Sequence, residues 1–82
     1  MKPIPEVDDI LRITTTYLSK TRVVTAKVLS IEETDTLSYD IKITLSSDDV
    51  LYRHKNDVWN FLRSDRDTET IIENLTKNLK TL

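Results

Sequence analysis

The 82-residue chain contains no glycine, and this absence constrains its backbone more than any other feature of the sequence. Average composition would give a chain of this length about six glycines. Glycine supplies the positive φ angles and the close backbone approach that phosphate-binding loops, dinucleotide-binding turns and nucleophile elbows require. The sequence therefore excludes those glycine-dependent sites, and any tight turn has to be formed by other residues.

The remaining composition indicates a small folded protein. The chain has no cysteine, which excludes disulfides, thiolate nucleophiles and zinc–thiolate sites. An apolar share of 38% and a charged share of 32% predict one folded domain over residues 1–82. The formal net charge of −2 gives no overall attraction to nucleic acid or anionic lipid. No apolar run is long enough for a transmembrane segment or a signal peptide, so we expect a cytoplasmic location, in a cell or in an infected host.

The N-terminal stretch, residues 5–19, has the apolar spacing of an amphipathic helix. Its apolar stripe, with steps of three, four and seven, consists of Val7, Ile10, Leu11, Tyr17 and Leu18. Pro5 suits a first helical turn, and the acidic residues that follow it complement the positive end of the helix dipole. The β-branched run 13–16 disfavours a helix. We predict a helix here on the strength of the stripe.

The middle of the chain predicts antiparallel strands. Apolar and polar residues alternate strictly over residues 37–45, which is typical of a strand with one buried face. Residues 22–32 form the preceding strand, and its apolar residues change face near Val28, which either a β-bulge or helices covering part of both faces would explain. A four- or five-residue loop over 33–36 would connect the two strands, and residues 46–49 form a second turn.

Residues 50–54 predict a third strand, with a helix from residue 48 or 49 to residue 63 as the alternative. We favour the strand because Asn56 and Asp57 provide a better N-cap for a short helix over residues 58–63. A longer helix is predicted for residues 68–82, with acidic residues at its start and lysines near its end. Its apolar stripe consists of Ile71, Ile72, Leu75, Leu79 and Leu82.

These elements predict an α+β fold in which a three-stranded antiparallel meander packs against helices, in the order α-β-β-β-α-α. The predicted core consists of Val7, Ile10, Leu11, Leu18, Val24, Val28, Tyr39, Ile41, Ile43, Val50, Phe61, Leu62, Ile72, Leu75 and Leu79. Burial of a core this small exceeds the conformational entropy cost by a narrow margin. A homo-oligomer that covers an exposed strand edge is therefore compatible with the prediction.

No arrangement of residues predicts catalysis. His54 is the only histidine, and no hydroxyl side chain is marked out as its nucleophile. Carboxylate pairs occur at 8–9, 32–33, 48–49 and 65/67, where helix starts and turns favour acidic side chains. The chain has no EF-hand spacing. We therefore predict a protein without enzymatic activity, without catalytic or metal-binding residues and without a cofactor.

The densest basic region of the chain lies between residues 52 and 66. Its candidate partner-binding residues are Tyr52, Arg53, Lys55, Trp59, Arg63 and Arg66. Two interpretations remain open for the cations: a solvated face balanced by nearby aspartates, or a site for the phosphate groups of nucleic acid or of a phosphoinositide. Trp59, at the border of the predicted short helix, either completes the core or anchors a partner.

Two parts of this pattern resemble known proteins. The strand-to-helix junction around Arg53, His54 and Lys55 resembles that of PX phosphoinositide-binding domains, with Arg53 at the first basic position, His54 in place of the second and the proline-rich loop absent. The predicted element order and the small acidic chain resemble phage-encoded inhibitors, including anti-CRISPR proteins. The first resemblance implies phosphoinositide binding, and the second implies a phage or viral origin and inhibition of another protein.

The sequence thus favours a small protein–protein interaction module that acts as a regulator, inhibitor or adaptor. Its partner would be another protein, bound through residues 52–66 or, by β-augmentation, through an uncovered strand edge. The alternative is an anion-binding module for nucleic acid or phosphoinositide head groups, acting through Arg53 and Lys55. If Trp59 anchors the partner, its loss would weaken binding more than folding.

Overall fold

All regular structure in the described part of the chain is β-strand. A computed structural model describes residues 4–34, 39–54, 58–61 and 69–81. Its seven strands are β1 (Ile10–Tyr17), β2 (Lys20–Glu33), β3 (Tyr39–Leu45), β4 (Val50–His54), β5 (Trp59–Asn60), β6 (Glu69–Asn74) and β7 (Leu79–Thr81). They form one antiparallel sheet in the order β5-β4-β3-β2-β1-β6-β7, which curls into a nearly closed shape around one core. The predicted α+β class, with helices against a three-stranded meander, is therefore wrong.

Strand β2 shapes the sheet because it pairs with a different neighbour along each half. Residues 20–27 pair with β1, whereas residues 28–33 pair with β3. The pairing with β3 shifts between Val28 and Ser30, so of the two explanations for the change of face near Val28 the β-bulge is the one that applies. A bulge bends a strand and increases its twist, so β2 carries the sheet from one half of the molecule into the other.

The N-terminal helix predicted for residues 5–19 is wrong, because residues 10–17 are strand β1. Side chains along β1 alternate between the two faces, with Leu11, Ile13 and Thr15 buried. The β-branched run 13–16, which disfavoured a helix, favours this strand. The predicted helical stripe included four side chains that the structure exposes, namely Val7, Ile10, Tyr17 and Leu18.

The C-terminal helix predicted for residues 68–82 is also wrong. Strands β6 and β7, joined by a turn over residues 75–78, occupy the described part of this segment. β6 pairs with β1 and places Ile72 opposite Ile13 in the core. Its neighbour Ile71 is exposed, so the two isoleucines lie on opposite faces of one strand. Pairing with β1 therefore outweighs the helical spacing of the apolar residues.

The strands predicted for the middle of the chain agree with the structure. The predictions of a strand before residue 33, a strand ending at residue 45 and a strand over 50–54 are confirmed by β2, β3 and β4. Residues 35–38, which include half of the predicted connecting loop, lie outside the described residues. The short helix predicted for 58–63 is wrong where it can be compared, since Trp59–Asn60 is strand β5 beside β4.

The core is one cluster of buried side chains inside the curled sheet. Its members are Leu11, Ile13, Val24, Ala26, Val28, Ile41, Ile43, Leu45, Leu51, Trp59 and Ile72. The predicted core residues that are buried are Leu11, Val24, Val28, Tyr39, Ile41, Ile43 and Ile72. Those that are exposed are Val7, Ile10, Leu18 and Leu75, whereas Val50 and Phe61 are half-buried. Leu62 and the side chain of Leu79 lie outside the described residues.

The chain adopts left-handed backbone conformations without any glycine. Within the described ranges, the residues with positive φ are Asp8, Leu18, Ser19, Asp48 and Asn78. Asp and Asn tolerate this region because their short polar side chains hydrogen-bond locally, which accounts for three of the five positions. The other two, Leu18 and Ser19, form the two-residue connection between β1 and β2, with φ of 50° and 65°. Two consecutive positive φ angles are the mark of the type I′ turn of tight hairpins.

Candidate interaction surface

The two aromatic residues predicted to bind a partner lie inside the protein. Trp59 is 5% exposed and belongs to the core cluster. Tyr52 is also buried, and its ring meets that of Tyr39 edge to face, with 4.7 Å between the ring centroids. Of the two roles considered for Trp59, its burial therefore supports the one in the core.

The described basic residue of the same region is engaged in an ion pair. Arg53 donates from Nε to Oδ1 of Asp40 at 3.1 Å and from Nη2 to Oδ2 at 2.8 Å. This bidentate contact neutralises the guanidinium charge, which would otherwise attract an anion. His54 is 2% exposed, so its imidazole is shielded from solvent. The other predicted binding residues, Lys55, Arg63 and Arg66, lie outside the described residues.

A buried carboxylate ties the segment before β1 to the turn after β6. Oδ2 of Asp9 accepts hydrogen bonds from the Glu6 backbone N–H at 2.9 Å and from Nδ2 of Asn74 at 2.8 Å. Lys77 lies 3.5 Å from the same oxygen and also pairs with Glu6. Burial alone would raise the pKa of Asp9, but these donors together lower it below its ordinary value. The acceptor is satisfied within the protein, so the cluster is structural.

A further ion pair connects the turn after β3 to β2. Asp49 accepts hydrogen bonds from Oγ of Ser47 at 2.7 Å and from Nη2 of Arg22 at 2.8 Å, and these donors lower its pKa. The Arg22 guanidinium also lies over the ring of Phe61, 5.1 Å from its centroid. Among the residues that the structure describes, no group of three His, Asp or Glu side chains is placed to hold a metal ion.

Exposed apolar side chains are concentrated on three of the strands and the turns next to them. In the described ranges, the exposed large apolar residues are Val7, Ile10, Tyr17, Leu18, Val23, Leu29, Ile71 and Leu75. All eight belong to β1, β2, β6 or the turns next to them, whereas the described parts of β3, β4 and β5 contribute none. Clustered exposed apolar groups indicate a contact surface more strongly than scattered ones do.

The outward side of β2, β1 and β6 forms one part of this surface, which we call the outer face. The register places Val23 and Ile71 on either side of Thr14, so an apolar row crosses three adjacent strands. The next row carries an ion pair in which Nη2 of Arg12 lies 3.1 Å from Oε2 of Glu73. An apolar centre with a polar border is typical of protein interfaces.

The β1–β2 turn, residues 17–20, forms the other part, which we call the hairpin tip. Leu18 is 77% exposed, the largest exposure among the exposed apolar residues, and its φ is 50°. The left-handed conformation costs a residue with a Cβ about 1–2 kcal/mol, and Asn or Gly is preferred at this position of the turn. Leu18 thus contributes strain without contributing to the core, and such a combination is a signature of functional sites.

No residue pair in the sequence marks the hairpin on which this surface depends. Leu18-Ser19 lacks the Asn-Gly or Asp-Gly signal of a two-residue turn. The one available signal was the β-branched run 13–16, which favours a strand and requires a turn soon after Tyr17.

No family model matches this chain, and no curated protein or solved structure matches it.

The structure does not support the two resemblances noted in the sequence. The described residues after β4 continue as strand β5, where a PX-like junction would start a helix. The element order likened to that of phage inhibitors depended on helices that the described residues replace with strands. In those residues there is no helix of the length and apolarity needed to span a membrane.

Proposed function

We propose that this protein is a non-enzymatic interaction module that binds another protein and acts as its regulator, inhibitor or adaptor. It contacts that protein through the hairpin tip and the adjoining outer face. The observation that carries the proposal is the exposed, left-handed Leu18. The proposal keeps the function favoured by the sequence and moves the contact surface away from residues 52–66.

Energetics supports a binding role for Leu18. Its backbone conformation costs about 1–2 kcal/mol in the free protein, which Asn or Gly would avoid. Burial of a leucine side chain against a partner contributes about 1.5–3 kcal/mol, which exceeds that cost. A leucine at this position is therefore unfavourable for the isolated fold and favourable in a complex. The expected partner presents an apolar pocket that accepts the hairpin tip.

The outer face extends the contact beyond the tip. Val23 and Ile71 provide apolar area on the strands next to Thr14, and the Arg12–Glu73 ion pair borders it. Interface cores are depleted of charged residues and their rims are polar, which this arrangement matches. The partner surface should therefore be apolar opposite the tip and the Val23–Ile71 row, and polar around them.

The anion-binding alternative has less support. Arg53, the described cation of its site, already forms two hydrogen bonds with the carboxylate of Asp40. A phosphate would have to displace that carboxylate, and this competition weakens binding. No observation on the described residues favours it over the interaction module.

The test is capture of a partner by the tagged full chain from a lysate of its source cells, followed by a direct binding measurement with the captured protein. The variants are Leu18→Asp at the hairpin tip and Ile71→Lys on the outer face. Glu32→Lys is the matched control, because Glu32 is an exposed residue near the opposite end of β2. Circular dichroism confirms that each variant is folded.

We expect the parent and Glu32→Lys to bind the same protein, and both surface variants to bind it at least tenfold more weakly. The proposal is wrong if folded Leu18→Asp and Ile71→Lys bind as the parent does. It is also wrong if the parent captures no protein that survives the direct measurement.

A further inference from the structure

One edge of β2 has no strand beside it in the described structure. The first half of β2 pairs with β1 on one side, but its pairing with β3 on the other side begins only at Val28. The stretch 21–25 therefore has an edge that faces away from β1 and adjoins no described strand. Such an edge can hydrogen-bond to another chain.

The register identifies which backbone groups point out of this edge. The Val28 N–H donates to the carbonyl of Asp9 at 2.8 Å, and hydrogen-bonded positions alternate along an antiparallel pair. Even-numbered residues of β2 therefore bond to β1, and odd-numbered residues point the other way. Lys27 confirms this, because both its N–H and its carbonyl bond to Ser46, at 2.9 Å each. The remaining backbone N–H and C=O groups that point away from β1 along this edge are those of Thr21, Val23 and Thr25.

We infer that this edge binds a second copy of the same chain, with the two β2 strands antiparallel and a two-fold axis at Val23. In this arrangement Val23 lies opposite its own copy, and Thr21 lies opposite Thr25 of the second copy. The outward backbone groups of these three residues then form three hydrogen-bonded pairs across the axis. The side-chain pairs are valine with valine and threonine with threonine, both of which are favourable across strands.

The neighbouring registers are worse. An axis at Arg22 would put two guanidinium groups directly opposite each other, which is destabilising, and would keep fewer hydrogen-bonded pairs. An axis at Val24 would require the backbone groups of Lys27, which Ser46 already occupies. The axis at Val23 avoids both problems, since it places Arg22 opposite Val24. Arg22 also brings little net charge to the edge, because Asp49 pairs with it at 2.8 Å.

This dimer goes beyond the proposed function and does not depend on it. It uses the backbone edge of β2, whereas the proposed partner contact uses side chains of the hairpin tip and the outer face; Val23 belongs to both. An edge of five residues is short compared with stable interfaces, so we expect a reversible, concentration-dependent dimer. Its formation would join two curled sheets and place two outer faces side by side.

Cysteine substitution tests the register, because the natural chain has no thiol. In the inferred dimer the two Val23 residues form a hydrogen-bonded pair, whose Cβ atoms lie about 5.5 Å apart, farther than the roughly 3.5–4.5 Å of an unstrained disulfide. A short bifunctional thiol reagent should therefore join two copies of Val23→Cys into a covalent dimer. Thr25→Cys is the matched control, because four residues, about 13 Å along the strand, separate it from its own copy. Thr21→Cys mixed with Thr25→Cys should cross-link to each other.

Sedimentation velocity of the unmodified chain provides the second measurement. We expect the weight-average mass to rise from 9.6 kDa towards twice that value as concentration increases. Val23→Lys, which places two ammonium groups at the axis, should lower the dimer association constant at least tenfold while the monomer stays folded. A mass that stays at that of the monomer, or equal cross-linking of Val23→Cys and Thr25→Cys, overturns the inference. Failure of this inference would leave the proposed function standing, because Leu18→Asp and Ile71→Lys test that function at residues outside the β2 edge.

Discussion

Asp9 and Asn74 are 65 residues apart in the sequence, and Nδ2 of Asn74 donates to Oδ2 of Asp9 at 2.8 Å. The contact closes one end of the sheet, because it joins the turn before β1 to the end of β6. Ile10 and Thr76 support the same junction, where the Ile10 N–H donates to Oγ1 of Thr76 at 2.8 Å. The first and last described segments are thereby held together by polar side chains around a buried carboxylate.

This carboxylate should make stability depend on pH. The folded state lowers the pKa of Asp9 below 3.8, so its stabilising effect is complete above the unfolded pKa and is lost as pH falls through the folded pKa. Asp9→Asn should destabilise the protein by about 1–2 kcal/mol at neutral pH, the difference between charge-assisted and neutral hydrogen bonds. The deficit should shrink as pH falls below about 5. Urea denaturation at several pH values measures it, and exposed Asp8→Asn is the control. A deficit that does not change with pH would contradict this role.

Replacement of the strained leucine should stabilise the fold and weaken binding at the same time. Leu18→Asn places a residue that tolerates positive φ in the type I′ turn, and we expect a gain of about 1 kcal/mol. Thermal denaturation checks the gain, and Thr21→Asn, on the adjoining strand, should give none. Lower stability of Leu18→Asn would show that the leucine supports the fold itself.

Trp59 should matter for folding. Its burial in the core predicts that Trp59→Ala destabilises the protein by about 3–5 kcal/mol. Tyr17→Ala at the hairpin tip should change stability by less than about 0.5 kcal/mol, because Tyr17 is exposed. Urea denaturation compares the two. A small loss for Trp59→Ala would return this residue to the candidates for partner contact.

Replacement of one threonine by valine should stabilise the folded protein. Oγ1 of Thr70, on β6, is buried and has no hydrogen-bond partner among the described residues. Thr70→Val has nearly the same shape and removes the desolvated hydroxyl, so we expect a gain of about 1 kcal/mol. Thr14→Val on the outer face should stay within about 0.5 kcal/mol of the parent. Chemical denaturation distinguishes the two, and a loss at Thr70→Val would mean that its hydroxyl is bonded.

Strands could be predicted correctly from the sequence where apolar residues occupy only one face of the strand. The alternation that ends at residue 45 led directly to β3, and the bulge explains the change of face near Val28. Prediction failed where apolar residues occupy both faces, as at Ile71 and Ile72, because such a strand has no period of two. The exposed members of those strands produced the helical spacing. They are also the residues assigned here to the interaction surface, so the same side chains obscured the fold and mark the site.

The candidate site was beyond sequence reasoning for a related reason. A leucine in a left-handed turn violates local preference, so no turn signal accompanies it. Burial of Trp59 and Tyr52 depends on β4 and β5 lying in the same sheet, which is a tertiary fact. Pairing of Arg53 with Asp40 likewise joins two strands whose register includes a shift.

The division of β2 between two neighbours has a consequence for the order of assembly. The β1–β2 and β2–β3 pairings connect segments that follow each other, so they require little loop closure and should form early. The β1–β6 pairing joins Ile13 to Ile72 and has to wait for most of the chain. Until β6 arrives, the free side of β1 exposes unpaired amides to other chains. Refolding yield should therefore fall as chain concentration rises during that last step.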